Sequence, residues 1–240
     1  MSLPDPTLFE PLAPWQEGWL RLDGRHEMHW QLSGHPDGRP VLWIHGGPGS
    51  SASPLHRRFF DPQKYLIIQY DQRGCGRSRP RGEIGANTTP QLLADIETLR
   101  ATLGVSAWDV VGGSWGASLA LLYAQLHPKV IKRLLLRSPF LCTDQEIDAY
   151  LNRPPALCQP AWTHLWDECR QHGAESLLAH GHRLFCGGFG ETPDSALAHH
   201  VGAVARRWAV YESAMDACPA TVVPPTRFDE TALVARYRIH

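Results

Sequence analysis

The serine at position 114 stands in the run Gly112-Gly113-Ser114-Trp115-Gly116. An apolar stretch, Trp108-Asp109-Val110-Val111, leads into it, and a helix-forming stretch, Ala117-Ser118-Leu119-Ala120-Leu121-Leu122-Tyr123-Ala124, leads out. A serine hydroxyl is a weak nucleophile. It becomes useful when it is exposed, held rigid and set beside a base. Strand, G-x-S-x-G and helix, in that order, are the context of a nucleophile elbow, a sharp turn that meets the first two requirements. Gly112, Gly113 and Gly116 are the small neighbours such a turn needs. The plain alternative is a glycine-rich turn carrying an incidental serine.

A second motif supports the chemical reading. Val41-Leu42-Trp43-Ile44 reads as a short buried strand and runs into His45-Gly46-Gly47-Pro48-Gly49. Where a nucleophile elbow works in acyl transfer, one backbone N–H comes from a loop after an earlier strand and another from the residue after the nucleophile. Those donors are expected here from Gly47, or Gly46, and from Trp115. Loss of one such donor typically costs about 3 kcal/mol of transition-state stabilisation.

The elements that must position these residues follow in chain order. Trp19 to Leu22, Asp23-Gly24 and His26 to Leu32 predict a β-hairpin. Ser53 to Pro62 reads as a connector carrying Arg57-Arg58. Tyr65 to Tyr70 is the next buried strand, ending in Asp71-Gln72-Arg73-Gly74-Cys75-Gly76-Arg77-Ser78. In that tail Asp71 and Arg73 could lock the loop through a charge-assisted hydrogen bond, and Cys75 reads as a small packed residue. Thr88 and Pro90 open a helix with Leu92, Leu93, Ile96, Leu99 and Leu103 on its buried face and Asp95 and Glu97 on the outer or flanking surface. Ile131 to Arg137 is a further strand. This alternation predicts a mostly parallel sheet with helices on both faces. After Phe140 tryptophans, histidines and helical stretches replace it. The division expected is a core over 1–140 and a helical cap over 141–240.

Composition limits the partners. The 240 residues carry a net charge of -1, 43% hydrophobic and 20% charged residues. That gives no electrostatic case for nucleic acid or an anionic membrane, and no apolar run is long enough to span a bilayer. The N-terminus, with Asp5 and Glu10 and no basic start, does not read as a signal peptide, so a cytoplasmic protein is expected. The six cysteines read as free thiols. Thirteen histidines include His180-Gly181-His182 and His199-His200, but no H-E-x-x-H spacing occurs. They read as surface or loop residues, without a metal site.

Taken together, the two glycine motifs, the D-Q-R-G-C-G-R-S run, Asn87-Thr88-Thr89 and Asp95-Ile96-Glu97 resemble the proline iminopeptidases of the α/β-hydrolase superfamily. The resemblance runs from about Gly18 to Phe140 and holds only loosely in the cap. It implies an α/β-hydrolase fold and a serine aminopeptidase that releases N-terminal proline from small peptides through an acyl-enzyme on Ser114, with no cofactor. Trp208-Ala209-Val210-Tyr211-Glu212 is similar to the family segment that holds the substrate's free amine, which makes Glu212 the candidate. A solvated cap-helix glutamate is the alternative reading. Arg137, Phe140 and Tyr150 fall where the family lines its proline pocket. His240 falls where a second family glutamate is expected. The triad acid and histidine are expected on two further strands after the cap. No such strands are read in the 240 residues, so the last core strands, the acid and the base are expected beyond His240. An esterase or amidase of the same fold, or a non-catalytic relative that binds a ligand or partner, remain the other readings.

Overall fold

The computed structural model describes residues 8–187, 195–216 and 229–239. The chain divides into two compact units, one running through Leu141 and the other from Cys142 through Arg238.

The first unit is built on six strands: β1 (Gln16–Arg21), β2 (Glu27–Gly34), β3 (Arg39–Ile44), β4 (Tyr65–Tyr70), β5 (Trp108–Gly113) and β6 (Ile131–Arg137). They lie in the order β1-β2-β4-β3-β5-β6. β1–β2 and β2–β4 are antiparallel, whereas β4, β3, β5 and β6 run parallel. The hairpin forms between β1 and β2 as expected, but Asp23-Gly24 is not a two-residue turn. The loop runs from Leu22 to His26, and the Asp23 carboxylate accepts the backbone N–H groups of Arg25 and His26. Those bonds hold its carboxyl far below the usual carboxylate range.

Period-two alternation sends the strand side chains to two faces. Leu42, Ile44, Ile68, Tyr70, Trp108 and Val110 pack with Leu92, Leu93, Ile96 and Leu99 of α2 (Thr89–Thr102) and with Leu119, Ala120 and Tyr123 of α3 (Trp115–Leu126). Val41, Trp43, Ile67 and Val111 form the opposite cluster with Leu12, Phe60 and Tyr65. The short α1 (Pro54–Arg57) serves that second face. His56 stacks on Trp43 with ring centroids 4.1 Å apart. The Ser53–Pro62 stretch is therefore part of the packed structure. Its Arg57 is 4% exposed and donates to Gln69 Oε1 and to the Leu12 carbonyl.

β6 is the last strand of the sheet, and no strand among the described residues pairs with its outer edge. Leu134 and Leu135 on it are 37% and 57% exposed.

The second unit is helical: α4 (Asp144–Asn152), α5 (Gln159–Gln171), α6 (Leu177–Phe185), α7 (Ser195–Asp216) and α8 (Glu230–Ile239). Its core gathers Leu151, Leu165, Cys169, Leu184, Phe185, Val204, Trp208, Tyr211 and Tyr237. Among the described residues no helix is long and apolar enough to cross a membrane.

Candidate active site

Ser114 occupies the junction of β5 and α3 with φ 55° and ψ −124°. A non-glycine residue at positive φ is uncommon, costs of order 1–3 kcal/mol, and persists only where its surroundings impose it. Here they do. The Ser114 N–H donates to the Arg137 carbonyl at 3.0 Å, and the Ser114 carbonyl accepts from the N–H groups of Ala117 and Phe140. The Phe140 carbonyl in turn takes the Ser118 hydroxyl. Arg137 and Phe140, expected near a substrate pocket, are thus tied through their backbones to the nucleophile turn. The Ser114 side chain is exposed, and no described residue hydrogen-bonds its hydroxyl.

Close approach explains two glycines of the elbow, Gly112 (whose Cβ would stand 2.2 Å from the Gly116 carbonyl oxygen) and Gly116, and excludes the same reason for the third. A Cβ at Gly116 would stand 2.3 Å from the Ile44 carbonyl oxygen and 2.6 Å from that of His45, so α3 could not lie this close to β3 with any side chain there. At Gly113 the nearest atom to an added Cβ is on the Trp43 ring at 3.8 Å. The expectation that all three elbow glycines are sterically required is therefore corrected at Gly113, where the turn leaves room.

The His45-Gly46-Gly47-Pro48-Gly49 loop abuts this turn. A Cβ at Gly46 would lie 2.8 Å from the Gly113 carbonyl oxygen and 3.1 Å from Ser114 Cβ. Gly47 sits at φ 119°, a conformation that favours glycine. The backbone N–H groups of Gly47 and Trp115 make no hydrogen bond with any described residue. Trp115 is the first residue of α3, where unpaired N–H groups and the helix dipole favour a negative charge. His45 anchors the loop: its Nε2 accepts the Gln72 N–H at 3.0 Å, which leaves Nδ1 to donate to the Gly46 carbonyl at 2.9 Å. The Gln72 side-chain amide also donates to the His45 carbonyl. Nearby His56 is committed to packing. Burial, then the Arg137 charge and the neighbouring His45, push it down to about 4.

The D-Q-R-G-C-G-R-S run holds this end of the sheet, but not by the expected Asp71–Arg73 pair. Asp71, 1% exposed, accepts the backbone N–H groups of Ala52 at 2.7 Å and Arg77 at 2.9 Å. Arg73 turns away and is held bidentately by Asp95, Nε to Oδ2 at 2.6 Å and Nη2 to Oδ1 at 2.8 Å. It also donates to Asp23 Oδ2 and the Ala86 carbonyl. Asp95 is 3% exposed, which corrects its assignment to the outer surface of α2. The signal was available: Asp95 is three residues after Leu92 and four before Leu99, on the same helix face. Cys75 is buried and donates to the Arg73 carbonyl, consistent with a packed residue.

In the second unit the structure brings Glu212 and Tyr150 together. Glu212 Oε1 accepts from the Tyr150 hydroxyl at 3.3 Å, and Oε2 accepts from Arg236 Nη2 at 2.7 Å and from the Tyr237 hydroxyl at 2.9 Å. Its side chain is 13% exposed, so the solvated-glutamate reading does not hold. Burial, followed by the Glu212 charge, raises both tyrosines well above their ordinary value and keeps them as donors. Spacing in the sequence could not show Arg236 and Tyr237 as partners, because α8 reaches α7 only through the fold. His240 lies outside the described residues. His180 and His200, read as surface or loop residues, are instead buried on α6 and α7, with their Nε2 atoms 3.0 Å apart.

This fold and this strand–serine–helix turn define the class: the chain belongs to the α/β-hydrolase fold family, whose model matches residues 39–186. Within that family it is a relative of the proline iminopeptidases. It is 44% identical over 164 residues to that of Arabidopsis thaliana, covering 68% of this chain and 42% of the relative. Identity is 50% over 139 residues with the Neisseria meningitidis protein, covering 58% and 45%. With the Xanthomonas citri protein it is 39% over 209 residues, covering 87% and 64%. The chain thus spans about half the length of the curated relatives it matches. Among solved structures, a probable hydrolytic enzyme from Pseudomonas aeruginosa shares the fold with a TM-score of 0.52 at 20% identity, covering 94% of this chain and 65% of that one.

Proposed function

We propose that this protein is a serine aminopeptidase that removes proline from the N-terminus of small peptides. The observation that carries the reading is Ser114 itself: an exposed hydroxyl on a strained strand-to-helix turn, beside a glycine loop, with the Gly47 and Trp115 N–H groups undonated. In the proposed reaction Ser114 Oγ attacks the carbonyl carbon of the N-terminal prolyl residue while a histidine base takes the hydroxyl proton. The oxyanion is stabilised by Gly47, or Gly46, and Trp115 N–H. The C–N bond then breaks, the departing amine takes the proton, and water hydrolyses the acyl-enzyme to release proline. The general base is assigned to no described side chain.

The relatives' name supports the substrate class. Glu212 is the proposed carboxylate for the substrate's free amine, with Arg137, Phe140 and Tyr150 proposed for the proline ring. Because Glu212 is paired with Arg236 here, its proposed role is an exchange of one cation for another. His240 carries no assignment.

The substrate assignment is tested by comparing a prolyl arylamide with its N-acetylated counterpart in the intact protein. The expected result is hydrolysis of the free amine and a loss of at least about thirtyfold in kcat/KM on acetylation, since truncating one partner of a buried charge pair typically costs about 2–5 kcal/mol. Equal turnover of both, or turnover only of simple acetyl esters, would instead establish an esterase or amidase.

A further inference from the structure

The second unit holds a group of donors that the proposed peptidase does not use. Glu168 and His172 stand four residues apart at the C-terminal end of α5, where such a spacing puts side chains on one face. α7 sets His200 beside them. The His172 and His200 rings have centroids 3.5 Å apart, and His200 Nδ1 lies 3.5 Å from Glu168 Oε1. One donor atom from each of the three residues lies within 4.8 Å of the other two. His200 is 5% exposed, yet its Nδ1 makes no hydrogen bond. Glu168 Oε1, at 3.5 Å, is too far for a good hydrogen bond, so this buried nitrogen is poorly satisfied. The other Glu168 oxygen lies 4.0 Å from Arg207 Nε.

We propose that Glu168, His172 and His200 form a binding site for a zinc-class divalent transition ion that ties the end of α5 to α7. Two imidazoles and one carboxylate, with water in the fourth position, are a familiar donor set for such an ion. The imidazoles argue against magnesium or calcium, which take oxygen ligands. Bonds of 2.0–2.2 Å in a tetrahedron set neighbouring ligand atoms roughly 3.4 Å apart. Glu168 and His200 already meet that separation. His172 is exposed, and coordination requires its ring to turn from its present packing against His200.

Metal binding reverses the proton placement that the present contacts favour, in which Arg183 donates to His180 Nδ1, His180 Nε2–H donates to His200 Nε2, and His200 Nδ1–H faces Glu168. Coordination through His200 Nδ1 requires the proton on Nε2, which then donates to His180 Nε2, 3.0 Å away. His180 is the outer partner that fixes ring orientation, as metal-bound histidines usually require. With its Nε2 accepting, His180 carries its proton on Nδ1, now facing Arg183 Nη2 at 3.3 Å. Arg183, exposed, must then give up its contact with His180 Nδ1.

The test is a titration of the metal-free protein with Zn²⁺ by calorimetry and with Co²⁺ by visible absorption, on wild type, His172→Ala and Glu168→Gln. The two substitutions fall on exposed or half-exposed side chains and are checked for folding by circular dichroism. The expected result is one equivalent bound, tetrahedral-type Co²⁺ bands, and at least a tenfold weakening in each variant. Zn²⁺ should also raise the wild-type Tm, as any ligand of the native state does, and raise that of the variants less. The absence of saturable binding near one equivalent would overturn the proposal. So would binding unchanged in both variants, which would place the ion on other histidines.

Discussion

Ser114→Ala is expected to lower kcat for a prolyl arylamide by about a millionfold, the scale seen when the nucleophile is removed from a serine hydrolase whose catalytic groups act as a unit. KM should change little, because the hydroxyl contributes to the transition state rather than to ground-state binding. The fold should survive. The backbone bonds from Ser114 to Arg137, Ala117 and Phe140 do not involve the side chain, and alanine has the same Cβ to accommodate at φ 55°. A residual rate above the uncatalysed reaction is expected from the Gly47 and Trp115 N–H groups alone. Steady-state kinetics on purified variant and wild type, with circular dichroism as the folding control, measures this. A variant retaining a tenth or more of the wild-type kcat would remove Ser114 from the reaction.

The second large effect is on stability. Asp95→Ala is expected to cost about 3–5 kcal/mol, the usual consequence of stripping one partner from a buried ion pair. Arg73 is 6% exposed and makes both of its bidentate bonds to Asp95. Without them a guanidinium stays buried with Asp23 and the Ala86 carbonyl as its remaining partners. For a chain of this length, that loss corresponds to a Tm decrease of roughly 10 °C. Arg73→Met combined with Asp95→Leu is expected to recover part of the loss, because no unpaired charge remains at that pair. Thermal and urea unfolding of the three proteins decide the matter. A cost below 1 kcal/mol for Asp95→Ala would mean that water reaches Arg73 and replaces the carboxylate.

These two residues also show what could be read before any coordinates. Ser114 was legible because an elbow needs local features alone: an apolar strand, small residues at set positions and a helix. The glycine loop after β3 was legible for the same reason, and the apolar runs of β3, β4 and β5 are buried strands as read. Asp95 was misplaced although its spacing with Leu92 and Leu99 put it on the buried face, because a charged residue there needs a partner and that partner could not be seen. Arg73 was given to Asp71, two residues away, when its actual partners are 22 and 50 residues distant in sequence. Glu212 was legible as a candidate only through resemblance. Its partners Tyr150, Arg236 and Tyr237 come from α4 and α8, which no spacing rule connects to α7. His180 and His200 were read as surface residues because polar side chains usually are. They are buried because each supplies the other with a hydrogen-bond partner across two helices. Local chemistry was visible in the chain, and pairing across elements was not.

The most direct measurement is to treat the intact protein with a fluorophosphonate probe at neutral pH and locate the adduct by mass spectrometry. The account predicts one adduct, on Ser114, and its loss in Ser114→Ala. An adduct on another residue, or hydrolysis of a prolyl arylamide by protein whose Ser114 stays unlabelled, would contradict it.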